Sequence, residues 1–255
     1  MTCRLIPAAV IAPALLVCAI PVAACSVDVL GPSASGTEPV TAGIVSADAV
    51  FDAYLEEDRA LEAQLRDANG RPPTEILDLR VARDQRVRHL ILELLETPGA
   101  GPDDATLTWL RLMRHMNGID RENARWLKAQ LEEIGWFTIS GYGEEADNNA
   151  FLIVQHATHD PEFMRAIHAR FEELLPEGEI APDNYALLTD RLAVMDGQPQ
   201  PYGSQFECAD GEQRLQTPLA DPEPVVDERR AEVGLPPLAV YLSVLPDCSS
   251  IPGSG

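Results

Sequence analysis

ADNNAFLIVQHA, residues 146–157, is the stretch on which the fold turns. From Ala150 to Val154 it is apolar without a gap, so a helix here has no polar face to offer water. Such a helix belongs inside a domain, with other helices around it. Asp160 and Pro161 follow closely. An aspartate caps free backbone N–H groups, and a proline suits the first helical position, where no donor is needed. QHATHD, residues 155–160, therefore reads as the junction between a buried helix and a second one reaching about Leu175.

Upstream, Ser46 has the character of an N-cap, followed by Val50, Tyr54, Leu61 and Leu65 at roughly helical spacing. NGRPP, 69–73, ends that helix, and Thr74 is expected to cap the next. Leu77, Val87, Ile91, Leu94 and Leu95 lie along one side of it. PGAGPDD, 98–104, is a break; a third helix is expected over about 104–115. A fourth is expected over Asp120 to Ile134, with Asp120 as N-cap and Gly135 past its end. WFTISGYG, 136–143, reads as a short extended segment or turn. Downstream, Asp183 opens a helix to about Met195. SQFECADGEQRLQTPL, 204–219, has Asp210-Gly211 between two short alternating runs, a hairpin signal. VVDERRAEV, 225–233, predicts a short helix, and GLPPLAVYL, 234–242, closes the domain. The expected fold is mainly α: one multi-helix domain over 46–250 with a small β-hairpin near the C-terminus.

The start of the chain has another character. Arg4 precedes LIPAAVIAPALLVCAIPVAA, 5–24, and Cys25. A basic residue, an apolar run and small residues before a cut form a secretory signal. Val-Ala-Ala-Cys, 22–25, resembles the bacterial lipobox, which implies removal of residues 1–24 and lipid on Cys25. SVDVLGPSASGTEPVTAGIV, 26–45, is small, Gly/Pro/Ser-rich and without periodicity, so 25–45 reads as a lipid-anchored flexible tether. The expected location is the cell envelope, at the outer membrane or cell surface. Cys208 and Cys248 remain beyond the tether. In an oxidising compartment they read as one disulfide closing a loop of about 40 residues, worth about 3–4 kcal/mol; the alternative is two separate thiols.

Against 41 acidic residues stand 19 basic ones, a net charge of −22 with Lys128 as the only lysine. No basic footprint is present, which excludes nucleic acid as the expected partner. Anionic headgroups would repel such a domain, leaving the lipid to hold it.

Candidate chemistry gathers at a few positions. A metal set of His156, His159 and Asp160, with His168, would need one continuous helix through the first three, and Asp160 is already spent as a cap. No metal and no cofactor is therefore expected. His156 ends the most buried helix and suits either a satisfied core histidine or a general acid/base. Asp84 lies seven residues from both Leu77 and Ile91, hence in an apolar stripe. A charge there needs a partner, and Arg88, one turn on, is available. Either a buried ion pair or a polar pocket with Gln85 results. Arg191, three residues from Leu188 and from Val194, can point inward with Asp190 beside it. An inward arginine needs a carboxylate or a bound anion. Arg229 and Arg230 cannot share a direction, so one is expected to meet Asp84 or Asp190 and the other solvent. Tyr202 and Gln205 either orient a ligand or tie down a Pro/Gly loop. No nucleophile elbow, phosphate loop, dinucleotide fingerprint or HExxH is present.

Several segments together resemble a bacterial family known as domain of unknown function 6624. They are GWFTIS (135–140), VQHATHDPEF (154–163), LLTDRLAV (187–194), GQPQPYGSQF (197–206) and VDERRAEVGLPPLAVY (226–241), within a match over about 75–241. Thr158 stands where members often have an acid, and Ser204 where they have threonine. The resemblance implies no activity; it points to Gln155, His156, Asp190, Arg191, Tyr202, Gln205, Arg229 and Arg230. The leading expectation is a non-catalytic binding or scaffold module, whose partner is an anionic small molecule or an envelope protein. The alternative is a small envelope hydrolase or lyase. Its pocket would join Asp84, Asp190, Arg88, Arg191 and Tyr202 to His156 as acid/base.

Overall fold

The structure is a computed structural model and describes residues 46–68, 70–97, 99–101, 105–209, 212–245 and 248. The expected signal segment, the tether, Cys25 and the Asp210-Gly211 turn lie outside the described residues. Helix α1, Ala47–Arg66, begins where Ser46 accepts the Ala49 N–H at 3.3 Å. Helix α2 spans Pro73–Glu96. It starts one residue before the expected cap: Pro73 occupies the first turn after Pro72, and Thr74 lies inside the helix.

The two helices expected over 104–134 are a single helix, α3, Thr106–Ile134. Leu112, Met116, Ile119, Asn123 and Leu127 are buried at three- and four-residue steps straight through Asn117-Gly118. Burial of that continuous stripe outweighs the roughly 1 kcal/mol that a helical glycine costs. Asp120 is therefore a buried mid-helix residue rather than an N-cap. Gly135, with φ 77°, ends the helix in a conformation glycine tolerates. The segment expected to be extended or a turn contains one helical turn, α4, Ile139–Tyr142.

Helix α5, Glu144–His156, is the axis of the domain. It packs on α2, α3 and α4, on α6 (Pro161–Leu174) and on α7 (Pro182–Met195). Ala150, Phe151, Ile153 and Val154 are buried in a core shared with Leu77, Leu127, Trp136, Phe171 and Leu188. Asp160 caps α6, accepting the Phe163 N–H at 3.1 Å. A second core joins Phe51 and Tyr54 of α1 to Val87, Leu90 and Leu94 of α2 and Leu112 of α3. Strands β1, Phe206–Ala209, and β2, Glu212–Leu215, form the expected antiparallel hairpin, with Cys208 opposite Gln213. Helices α8, Glu223–Glu232, and α9, Leu238–Val244, follow, and the Cys208–Cys248 disulfide ties the segment after α9 to β1. No described helix is long and apolar enough to cross a membrane.

Candidate functional site: a buried ionic cluster beside an acidic cavity

Asp84 on α2, Asp120 on α3 and His156 at the end of α5 meet where those helices touch, each less than a tenth exposed. The His156 Nδ1 lies 3.0 Å from both carboxylate oxygens of Asp84. Arg88 donates from one guanidinium nitrogen to Asp84 at 2.9 Å and from another to Asp120 at 3.0 Å. Gln85 donates to the other Asp84 oxygen at 2.8 Å. Burial works to raise the Asp84 carboxyl, but the charges of His156 and Arg88 outweigh it and hold the group below the usual range. Burial wins at Asp120, with the Asp84 charge adding to it, and that carboxyl is raised. Asp84 is thus the fixed anion of the cluster.

One ligand atom from each of Asp84, Asp120 and His156 lies within 4.8 Å of the others, so the three could hold a metal ion. Arg88 already bridges both carboxylates, and a cation would have to displace it. The histidine set weighed from the sequence is not assembled: His159 is exposed, and Asp160 caps α6 and pairs with Lys128. QHATHD is a helix junction.

The remaining candidates form a separate group. Asp190, wholly buried on α7, accepts the backbone N–H groups of Tyr202 at 2.9 Å and Ser204 at 2.7 Å. Burial raises its carboxyl against those hydrogen bonds. The inward residue of the Asp190-Arg191 pair is therefore the aspartate; Arg191 is half-buried. Gln205 ties the loop down: its N–H donates to the Gln200 side chain at 2.7 Å and its amide to Ser204 at 3.0 Å. Arg230, not Arg229, is the fully buried arginine, donating to the carbonyls of Tyr202 at 2.7 Å and Pro236 at 2.6 Å. Arg229 holds the Pro201 carbonyl and the Asp221 carboxylate, both at 2.6 Å. The single pocket joining Asp84, His156, Asp190 and Tyr202 is thus two clusters, because Asp190 spends both oxygens on its own loop.

Beside the first cluster a cavity of about 540 Å³ opens between α5 and α7. Gln85 lines it from α2, and so joins it to Asp84. Glu144, Glu145 and Asp183 supply carboxylates; Asn148, Asn149, Gln155 and Asn184 supply amides; Phe151, Leu152 and Leu187 supply an apolar wall. No basic residue lines it, and none of its three carboxylates has an ion-pair partner among the described residues. Burial raises the Asp183 carboxyl, and the Glu144 charge adds to the effect. Below it, the fully buried Asp147 accepts from the Trp136 indole at 2.7 Å, the Ala181 N–H at 2.8 Å and the Asn184 amide at 3.1 Å.

Sequence reasoning missed Asp120, Asp147 and a third cluster. Arg83 grips both oxygens of Asp58 on α1, at 2.7 and 3.0 Å, and reaches Glu122 at 2.7 Å. His115 lies 3.1 Å from Asp58. Asp120 sits four residues after Met116 and seven before Leu127, the spacing of the buried stripe, but its place just after Asn117-Gly118 gives it the local look of a cap.

These features define a helical domain whose inner charges are largely matched among themselves and whose open cavity is acidic. The chain belongs to the family of unknown function DUF6624, which it matches over residues 74–252. No curated protein and no solved structure matches it.

Proposed function

We propose that this chain is a non-catalytic binding module, exported and held at the cell envelope by lipid on Cys25, with the cavity between α5 and α7 as its ligand seat. The observation that carries the reading is the lining: carboxylates and amides around an apolar wall, with no basic group. Such a lining favours a polar ligand bearing positive charge, such as an alkyl amine, over the anion suggested by the inward arginines. Of the arginines Arg88, Arg191 and Arg229 on which that anion rested, Arg88 and Arg229 are engaged with Asp84, Asp120 and Asp221. The ionic cluster holds Gln85, which lines the cavity, through its hydrogen bond to Asp84. Thermal unfolding of the full chain with 1,4-diaminobutane or succinate tests this. The diamine should raise the melting temperature with concentration, succinate should not, and Glu144→Gln with Asp183→Asn should weaken the effect about tenfold. A shift from succinate alone, or one untouched by the double substitution, would sink the reading.

A second reading rests on the 3.0 Å contact between the His156 Nδ1 and Asp84. A carboxylate at Nδ1 orients an imidazole for acid/base work at its other nitrogen, as a hydrolase or lyase requires. His156→Ala separates the two. A folded variant that has lost a hydrolytic activity of the parent favours catalysis; loss of folding with no activity in the parent favours the structural role.

A further inference from the structure

The outward side of α3 is unlike the rest of this acidic molecule. Leu107, Leu110, Arg114, Asn117, Arg121 and Arg125 follow one another at three- and four-residue steps, and all are exposed. They form one stripe roughly 27 Å long at 1.5 Å per residue. Leu107 is 77% exposed and Leu110 46%. Other surface arginines here sit against an acid: Arg59 on Glu56, Arg66 on Glu62, Arg165 on Asp196. Arg114, Arg121 and Arg125 have no carboxylate at ion-pair distance among the described residues. With 41 acids to 19 bases in the chain, three unpaired arginines on one helical stripe are a concentration of charge that needs a purpose.

We propose that this stripe is a membrane-docking face, which lays the domain on an anionic lipid surface. The arginines meet headgroup phosphates, and Leu107 and Leu110 enter the acyl boundary, the division of labour of an interfacial helix. The leucines mark the lipid end by position. Thr108 bonds Asp48 at 2.5 Å, and Arg111 lies 3.5 Å from Asp48 and Asp52, so this end of α3 adjoins the start of α1. There Ser46 continues from residues 1–45, which hold the apolar run and Cys25. The chain thus enters the described domain at the same end of α3 as the leucines. The net charge of −22 does not forbid it, because screening limits the field to about 10 Å and only the near face is felt. A soluble polyanion would use the arginines but has no use for the leucines.

The test is co-sedimentation of the full chain, made lipid-free by Cys25→Ser, with vesicles. One set is phosphatidylcholine; the other adds an equal part of phosphatidylglycerol. The ratio of the two partition coefficients cancels any contribution from the apolar run. It should be well above one and fall with salt. Arg114→Gln/Arg121→Gln/Arg125→Gln should cut it about 100-fold, at about fivefold per arginine. Arg59→Gln/Arg66→Gln/Arg165→Gln makes the same change in net charge and should leave it standing. Leu107→Ser/Leu110→Ser should lower binding to the anionic vesicles. All these side chains are solvent-facing, and circular dichroism checks that each variant is helical. A ratio near one in the parent, or an equal loss in both triple variants, would overturn the proposal. So would tighter binding to soluble polyphosphate than to vesicles, with the leucine variant unchanged. Because the Cys25 lipid is absent, failure here leaves the anchoring and the cavity reading untouched.

Discussion

Asp190 organises a loop, a helix and a buried arginine with one side chain. Its two oxygens each take a backbone N–H, from Tyr202 and Ser204, and its charge faces Arg230 across the same loop. Asp190→Ala would strand two buried donors and unbalance a buried cation. It should cost about 3 kcal/mol in urea unfolding, while Asp190→Asn, keeping one acceptor, should cost less. A loss under about 1 kcal/mol would mean that the loop holds itself. The same residue shows the limits of reading spacing alone. Three-residue steps from Leu188 and Val194 favoured Arg191 as the inward partner, yet Ala186 and Leu187, both buried, set the face to which Asp190 belongs. Asp84 was legible because its neighbours at seven residues are large and apolar on both sides. Asp120 was not, because an aspartate shortly after Asn-Gly has the local look of a cap, and only burial across the whole stripe corrects that.

Helices with strong punctuation were legible and those without were not. Ser46, Asp160-Pro161 and Gly135 mark real ends, since each satisfies or avoids a free backbone group. The buried character of α5 followed from its lack of a polar face. Asn117-Gly118 misled because glycine's cost is local while the gain from burying α3 is spread along its length. Gly118 is exposed and helical, and a methyl group there would meet nothing within 4 Å. Gly118→Ala should therefore raise stability by about 1 kcal/mol in chemical unfolding. A destabilised variant would mean that α3 bends or opens at this point.

Across the whole molecule, buried carboxyls pull in two directions. Burial raises Asp120, Asp147, Asp183 and Asp190. Each binds its proton more readily folded than unfolded, so its contribution is present below the ordinary carboxylate value of about 4 and lost as pH rises through the folded value. Asp84 and Asp58 are also penalised by burial, but their cationic and hydrogen-bonded partners pull them lower still. Their contribution is present above about 4 and lost as pH falls through their folded values. Stability measured against pH should peak on the mildly acidic side, decline toward pH 8 and collapse below about 3. A steady rise to pH 8 would contradict the burial of the first group. Cys208 and Cys248 were legible as a pair from their number and from the expectation of export; that Asp84 and Asp190 sit in different clusters was not, since nothing local to either residue reports which helices meet. One connection remains between the family segment and what precedes it. Asp58 lies on α1, ahead of residue 74, yet it is the main counter-ion of Arg83 within that segment. A version of the domain without the leading helix would leave Arg83 with Glu122 as its remaining carboxylate among the described residues. A chain trimmed to the family segment would thus lose a counter-ion as well as a helix, and the folding unit begins ahead of residue 74.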